Sequence, residues 1–291
     1  MVSPGDVRLL DHLAGGHQAF LGSGGVRLHN LKVLRSLFKL NLQMTLAYRV
    51  DTWVNMLLSL MWLGWELLSL GIIFSNTATL GGWGPGELIA LLGVFRLINT
   101  LMAALIWPNT EKFNTSVRDG TLDYTLLLPV NSLLLVSFSR ILIWRVWDLA
   151  LGLVLIVVGI RLAGSTVAAT GPLALLSFLI LGVSGAVIIY SLWIVMIAIT
   201  FWFIKFDNNV TILQALLDAG RYPATVYPAW LRLILTFLIP IALATTVPLQ
   251  ALRGDLTVWS VLLFLGVGIA SFLVARQVWK FGVRHYSGAS S

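Results

Sequence analysis

Six long apolar segments alternate with short polar stretches along the chain. Five of them cover residues 54–74, 88–107, 141–160, 233–252 and 256–275. A helix needs about 20 apolar residues to cross the roughly 30 Å hydrocarbon core of a bilayer, so each segment is long enough to span it. The other segment, residues 173–204, carries no charge and is overlong for one crossing. It is therefore either one tilted helix or a tight hairpin of two.

The distribution of basic residues decides between these alternatives. If residues 173–204 form one helix, the six spans place both termini on the same side, together with most of the 19 Lys and Arg residues. Because cytoplasmic loops carry the excess of basic residues, that side is predicted to be cytoplasmic. We predict an all-α integral membrane protein with six transmembrane helices and both termini in the cytoplasm.

Composition supports a membrane protein and excludes other classes. The chain is 58% hydrophobic and 11% charged, whereas an ordinary soluble domain carries roughly 25% charged residues. This argues against a soluble enzyme and against a nucleic-acid partner, and assigns the net charge of +7 to the cytoplasmic loops. The chain has no Cys, which excludes disulfides and cysteine metal sites.

Two segments precede the first span. Residues 1–27 are rich in Gly and are predicted to form a flexible cytoplasmic arm. Residues 28–50 have apolar positions at three- and four-residue spacing with basic residues beside them, which predicts an amphipathic elbow helix in the membrane interface. The alternative is a cytoplasmic extension of the first span. The apolar positions are Leu31, Leu34, Phe38, Leu42 and Leu46. Residues 51–285 then form the transmembrane domain, and residues 286–291 form a cytoplasmic tail.

Three ionisable residues lie deep inside the predicted spans: Glu66, Arg96 and Asp148. Glu66 and Arg96 lie at matching depth in antiparallel spans, and an unpaired charge there would cost several kcal/mol. We therefore expect the two to pair, with Asp148 close enough to join them. Such a group either fixes helix packing, contacts the polar part of a substrate, or faces a water-filled cavity.

Two prolines fall in the predicted fifth span, Pro240 and Pro248. Proline lacks an amide donor, so a helix break is expected there, and the freed carbonyl needs a partner inside the protein or a cavity. A kink without a role in transport is the alternative. The preceding residues 205–232 are predicted to be a cytoplasmic loop containing a short helix, with Leu213 and Leu217 on its apolar face.

The predicted cytoplasmic loop at about residues 108–135 carries the most informative motif. Its residues Arg118, Asp119, Gly120, Thr121, Leu122 and Asp123 are followed by Leu127, Leu128 and Pro129. This run resembles a pattern of ABC-2 type exporter permeases, although Pro129 follows Leu128 directly. The resemblance implies that the loop is a coupling helix that docks on an ATPase subunit. The implied coupling residues are Arg118, Gly120, Leu122, Asp123, Leu127, Leu128 and Pro129.

A second set of motifs follows in order from Phe206 to Leu249, including Arg221-Tyr222-Pro223 and Val247-Pro248-Leu249. Their spacing is similar to that of small six-span ABC-2 permeases, in which two different permeases share one ATPase. The resemblance implies a type V ABC exporter-like permease in the bacterial inner membrane. Its implied partners are an ATPase dimer, a second permease (a related pair is favoured and a homodimer is possible) and membrane lipids.

The chemistry of the chain fits a transporter better than an enzyme. It has no phosphate-binding loop of the Gly-x-x-x-x-Gly-Lys-Ser/Thr type, so ATP and Mg²⁺ are expected on the partner ATPase, with no cofactor, metal or catalytic site here. An ion-driven secondary transporter is the main alternative, and a membrane enzyme or scaffold is another. The sequence does not distinguish between amphipathic, lipid-like, drug-like and glycan substrates as the cargo.

Overall fold

A computed structural model describes residues 23–47, 49–128, 130–164, 171–202, 209–238 and 240–286. This part of the chain is helical. In chain order the α-helices are α1 Ser23–Ala47, α2 Arg49–Asn76, α3 Pro85–Leu101, α4 Trp107–Arg118, α5 Leu122–Leu127, α6 Ser132–Phe138, α7 Val146–Ala163, α8 Pro172–Ile199, α9 Asn209–Asp218, α10 Ala229–Leu233, α11 Ile241–Arg253 and α12 Val258–His285.

Five helical segments of the described residues are long and apolar enough to cross a membrane. They are Val50–Asn76, Pro85–Arg118, Ile143–Ala163, Pro172–Ile199 and Val258–His285. The second joins α3 to α4 through the π-helical turn Met102–Ile106. Residues 173–199 lie in one helix, α8, and not in a hairpin. The chain is therefore an integral membrane protein.

Helices α3 and α7 approach each other through glycines. A Cβ on Gly93 of α3 would lie 2.7 Å from the carbonyl oxygen of Gly152 in α7, and a Cβ on Gly159 would lie 2.6 Å from that of Gly86. Real Cβ atoms do not come so close, so this glycine seam requires residues without a side chain. Small residues at such positions allow two membrane helices to pack backbone to backbone.

We name each of the two ends of the bundle after a residue that lies there. The Trp83 end holds the 77–84 connection between α2 and α3, and the Asp123 end holds the 119–128 segment after α4. Phe113, Phe201 and Trp279 form an aromatic cluster near the Asp123 end, with ring centroids 5.4–5.7 Å apart. This cluster joins α4 to the ends of α8 and α12.

The short helix predicted within residues 205–232 is present as α9, but the described part of this segment is not a loop at one end of the bundle. Leu213 of α9 is 1% exposed, within the main core. Arg221 lies 3.8 Å from Glu66, beside the middle of α2. Further on, the Thr225 hydroxyl donates a hydrogen bond to the Gly81 carbonyl at the Trp83 end. The segment thus runs along the bundle, because its leucines are buried and its charges are paired.

The predicted fifth span, residues 233–252, is not one helix. Helix α10 continues as a π-helical turn through residue 238, and Pro240 then occupies the N-cap of α11. Helix α11 returns to the Trp83 end, where Arg253 lies 3.5 Å from Glu87. The break predicted at Pro240 is present. The break predicted at Pro248 is absent: α11 continues through it, since one missing amide removes only one hydrogen bond.

The N-terminal helix α1 covers most of the predicted elbow. Its buried residues Val33 and Leu37 pack with Leu135 of α6, whereas Phe38 and Leu46 of the predicted apolar stripe are 49% and 56% exposed. Two residues of that stripe are thus largely exposed, and its placement in the membrane interface stays a prediction. Most of the predicted arm, residues 1–22, and residues 287–291 of the tail lie outside the described residues.

Candidate functional site

Six charged side chains form a chain of alternating sign across the bundle. The contacts run from Arg145 to Asp148 (3.0 Å), Arg96 (3.5 Å), Glu66 (3.0 Å), Arg221 (3.8 Å) and Asp218 (3.3 Å). We call this set the charge chain. It joins the start of α7 to α3, α2 and the end of α9. Three cations face three anions, so the set is neutral overall.

The middle of the charge chain is buried and hydrogen-bonded. Arg96 donates to Glu66 at 3.0 Å, to the Ser59 carbonyl at 3.0 Å and to the Ser59 hydroxyl at 2.6 Å. The Ser59 hydroxyl in turn donates to Asp148, which is 2% exposed. Buried charges are tolerated when they are paired and hydrogen-bonded in this way. The group therefore ties α2 to α3 and α7.

A polar cavity of about 460 Å³ lies beside the charge chain, between α2, α3, α9 and the start of α7. Charged, amide and hydroxyl side chains line it together with the rings of Trp62, Phe95 and Trp144. Helix α2 closes one side loosely: of its residues 50–76, only Ser59 and Leu70 are buried. The cavity therefore separates α2 from the remainder of the bundle.

The structure brings the three predicted intramembrane residues together and adds more. Glu66, Arg96 and Asp148 are joined as described above. Asp218 and Arg221 belong to the same group, although the sequence placed them in a loop. Their signal was the i,i+3 spacing of opposite charges at the end of a leucine-rich helix, which indicates that the two side chains can pair.

A second candidate surface lies on α5 at the Asp123 end. Gly120 has a φ of 68°, a left-handed conformation that allows the sharp turn between α4 and α5. Leu122 is 1% exposed and anchors the helix in the main core, whereas Tyr124 and Leu127 are 73% and 81% exposed. We call Tyr124 and Leu127 the α5 apolar pair. Two large apolar side chains thus project from an anchored short helix.

The other predicted coupling residues differ in their surroundings. Arg118 is largely exposed and lies 3.8 Å from Asp119. Leu128 is half-buried against α1 and α6. Pro129 lies outside the described residues.

Asp123 has a partner within the chain. Burial of Tyr286, just after α12, raises the pKa of its phenol, and its interaction with the Asp123 carboxylate raises it further. Asp123 therefore links α5 to the end of α12. A substitution there would report on this internal contact as well as on docking.

Comparison with known proteins places the chain in a family. A family model described as ABC-2 family transporter protein matches residues 60–290. This chain belongs to the ABC-2 family of transporter proteins. The match begins within α2 and includes both the charge chain and the α5 apolar pair. A search of curated proteins found no match, and neither did a search of solved structures.

Proposed function

We propose that this ABC-2 permease is one of two membrane subunits through which a separate ATPase drives export of an amphipathic molecule across the bacterial inner membrane. Family membership gives the coarser role, a permease of an ABC transporter. The direction of transport, the second permease and the cytoplasmic position of both termini belong to the proposal. The ATPase docks at the Asp123 end, which is then the cytoplasmic end.

The α5 apolar pair is the observation that carries this proposal. The helical segment Pro85–Arg118 has 34 residues and is about 51 Å long at 1.5 Å per residue. It exceeds the roughly 30 Å hydrocarbon core by about 20 Å. Its last turns carry the exposed Glu111 and Lys112. The α5 apolar pair follows them beyond the membrane, where exposed apolar side chains favour a soluble partner.

The order of the anchored and exposed residues supports a docking role. Leu122 fixes the start of α5 in the core and Asp123 ties it to Tyr286, so the helix does not need to be ordered on binding. Preorganised apolar anchors of this kind contribute most of the energy at protein interfaces. Arg118, Gly120 and Leu128 are assigned to support the turn and the helix rather than to make the central contact.

The test is purification of the full chain from its native membrane with its associated ATPase activity. Leu127→Asp is expected to reduce co-purifying ATP hydrolysis by about tenfold or more, because it places a charge in an apolar contact. Thr79→Asp is the control, since Thr79 is exposed in the connection between α2 and α3 at the Trp83 end, outside the membrane-crossing segments. Equal hydrolysis by the wild type and Leu127→Asp would overturn docking at α5.

A further inference from the structure

Three arginines of the charge chain hold unused hydrogen-bond donors. The Nε atoms of Arg96, Arg145 and Arg221 are buried and have no partner within the described residues. All three arginines line the polar cavity, and Arg96 is only 9% exposed as a residue. These Nε atoms have almost no accessible surface and are closed to the cavity; an occupant would meet the exposed parts of Arg145 and Arg221, whose side chains are 28% and 37% exposed.

Charge balance restricts the kind of occupant. The charge chain is neutral, and in a poorly solvated site any net charge added to it is uncompensated. A zwitterion avoids this cost, since it brings one charge of each sign. At the more exposed end, the Arg221 side chain is 37% exposed and its Glu66 contact of 3.8 Å is too long for a hydrogen bond. Arg221 is thus free to take a new acceptor without loss of a strong one.

The surroundings indicate where each half of a zwitterion would bind. Guanidinium groups hold phosphate through paired N–H donors, and the partly exposed Arg221 lines the cavity. The Asp218 side chain is 46% exposed and has Arg221 as its ion-pair partner. It can receive an ammonium group. Trp62 lines the same cavity and is 61% exposed, which provides an aromatic face for the cation.

The position of the cavity favours a ligand with an apolar tail. Helix α2 forms one wall, and it also exposes Leu57, Met61 and Leu68, which do not line the cavity, among other large apolar side chains. A head group in the cavity could therefore keep its hydrocarbon chain along α2 in the bilayer. A free ion or a small polar solute would make no use of this surface.

We propose that the polar cavity between α2, α3, α7 and α9 binds the zwitterionic phosphate–ammonium head group of a membrane amphiphile. The inference rests on the proposed transport function in naming this amphiphile as cargo, and its test does not need the ATPase. Arg221 binds the phosphate oxygens, Asp218 and Trp62 bind the ammonium group, and Arg96 holds the wall together.

Native mass spectrometry of the purified full-length chain tests the binding site directly. Three lipids with identical acyl chains are offered: zwitterionic phosphatidylethanolamine, anionic phosphatidylglycerol and neutral glucosyl diacylglycerol. The wild type is expected to retain phosphatidylethanolamine about tenfold more tightly than either of the others, the ratio that corresponds to one charge-assisted contact. Preference for phosphatidylglycerol or the glucosyl lipid, or equal retention of all three, would overturn the proposal.

Two variants change the charge of the cavity in opposite directions. Asp218→Asn leaves it one positive charge in excess and is expected to shift the preference about tenfold towards phosphatidylglycerol. Arg221→Gln leaves it one negative charge in excess and is expected to weaken phosphatidylethanolamine binding about tenfold. The double variant restores neutrality and should not favour phosphatidylglycerol. A merely unfolded protein would lose all three lipids and could not show these opposite shifts.

Arg161→Gln is the matched control, since Arg161 is exposed near the other end of α7. It should retain the wild-type order of lipids. The same order in Asp218→Asn and Arg221→Gln would overturn the site. Because these measurements contain no ATPase, they can fail while Leu127→Asp still abolishes ATPase docking, and the reverse also holds.

Discussion

The contact between Glu66 and Arg96 allows a quantitative test of the charge chain. Arg96→Met would leave Glu66 with Arg221 at 3.8 Å as its ion-pair partner, while Asp148 would keep Arg145 at 3.0 Å. Removing one partner of a buried pair typically costs about 3–5 kcal/mol. Glu66→Gln should cost less, about 1–3 kcal/mol, because Arg96 retains Ser59 and Asp148.

The double variant carries the decisive information. When Arg96 is already Met, changing Glu66 to Gln removes a carboxylate whose remaining ion-pair contact is 3.8 Å long, and should recover stability rather than lose more. The coupling energy between the two sites should therefore exceed about 1 kcal/mol, within the range found for residues in one polar network. A double-mutant cycle of the same kind between Arg96 and the exposed Arg161 should show no coupling energy, since Arg161 lies near the other end of α7.

Reversible unfolding of the purified chain in mixed micelles, with increasing dodecyl sulfate, measures these differences. The 12 tryptophans give the fluorescence signal, and the folded fraction is checked by gel filtration. Arg161→Met should stay within about 0.5 kcal/mol of the wild type, as expected for an exposed position. Additive losses in the Glu66→Gln, Arg96→Met double variant would refute the reasoning.

Two further predictions concern packing and orientation. Gly159→Val should destabilise the fold by about 1–3 kcal/mol, because its side chain would collide with Ala90 of α3, whereas Gly266→Val in α12 meets open space and should have little effect in the same unfolding assay. In intact cells an impermeant thiol reagent should label Thr79→Cys but not Thr115→Cys, since the native chain has no cysteine and both positions are exposed; the opposite pattern would reverse the proposed orientation.

The sequence predicted the long helices well because each contains about 20 consecutive apolar residues. The contact between Glu66 and Arg96 was also predicted from their matching depth, since both lie near the middle of their segments. These features depend on local composition and on spacing along one helix, which a single sequence contains.

The segment from α9 to α11 could not be predicted in the same way. Hydropathy assigned Asp218 and Arg221 to a loop because a charge is costly in lipid. A hydropathy pattern does not contain the information that Glu66, far away in the sequence, pairs with Arg221. Likewise the apolar run of residues 233–252 fits one span by length, yet it divides at Pro240. Pairing between distant segments lowers the cost of polar residues inside the bundle, and that pairing is a tertiary property.

The charge chain and the α5 apolar pair are linked through one continuous helical segment. Pro85–Arg118 carries Arg96 in the charge chain and ends at the turn before α5. The glycine seam holds α3 tightly against α7, whereas α2 meets them through side chains only, the polar ones of the charge chain and the apolar ones around Leu70. Backbone-to-backbone packing resists separation more than a contact between long side chains does. A movement of α5 in the proposed transporter would therefore carry α3 and α7 together and change their distance from α2. The polar cavity lies at that boundary, where such a change would open or close it.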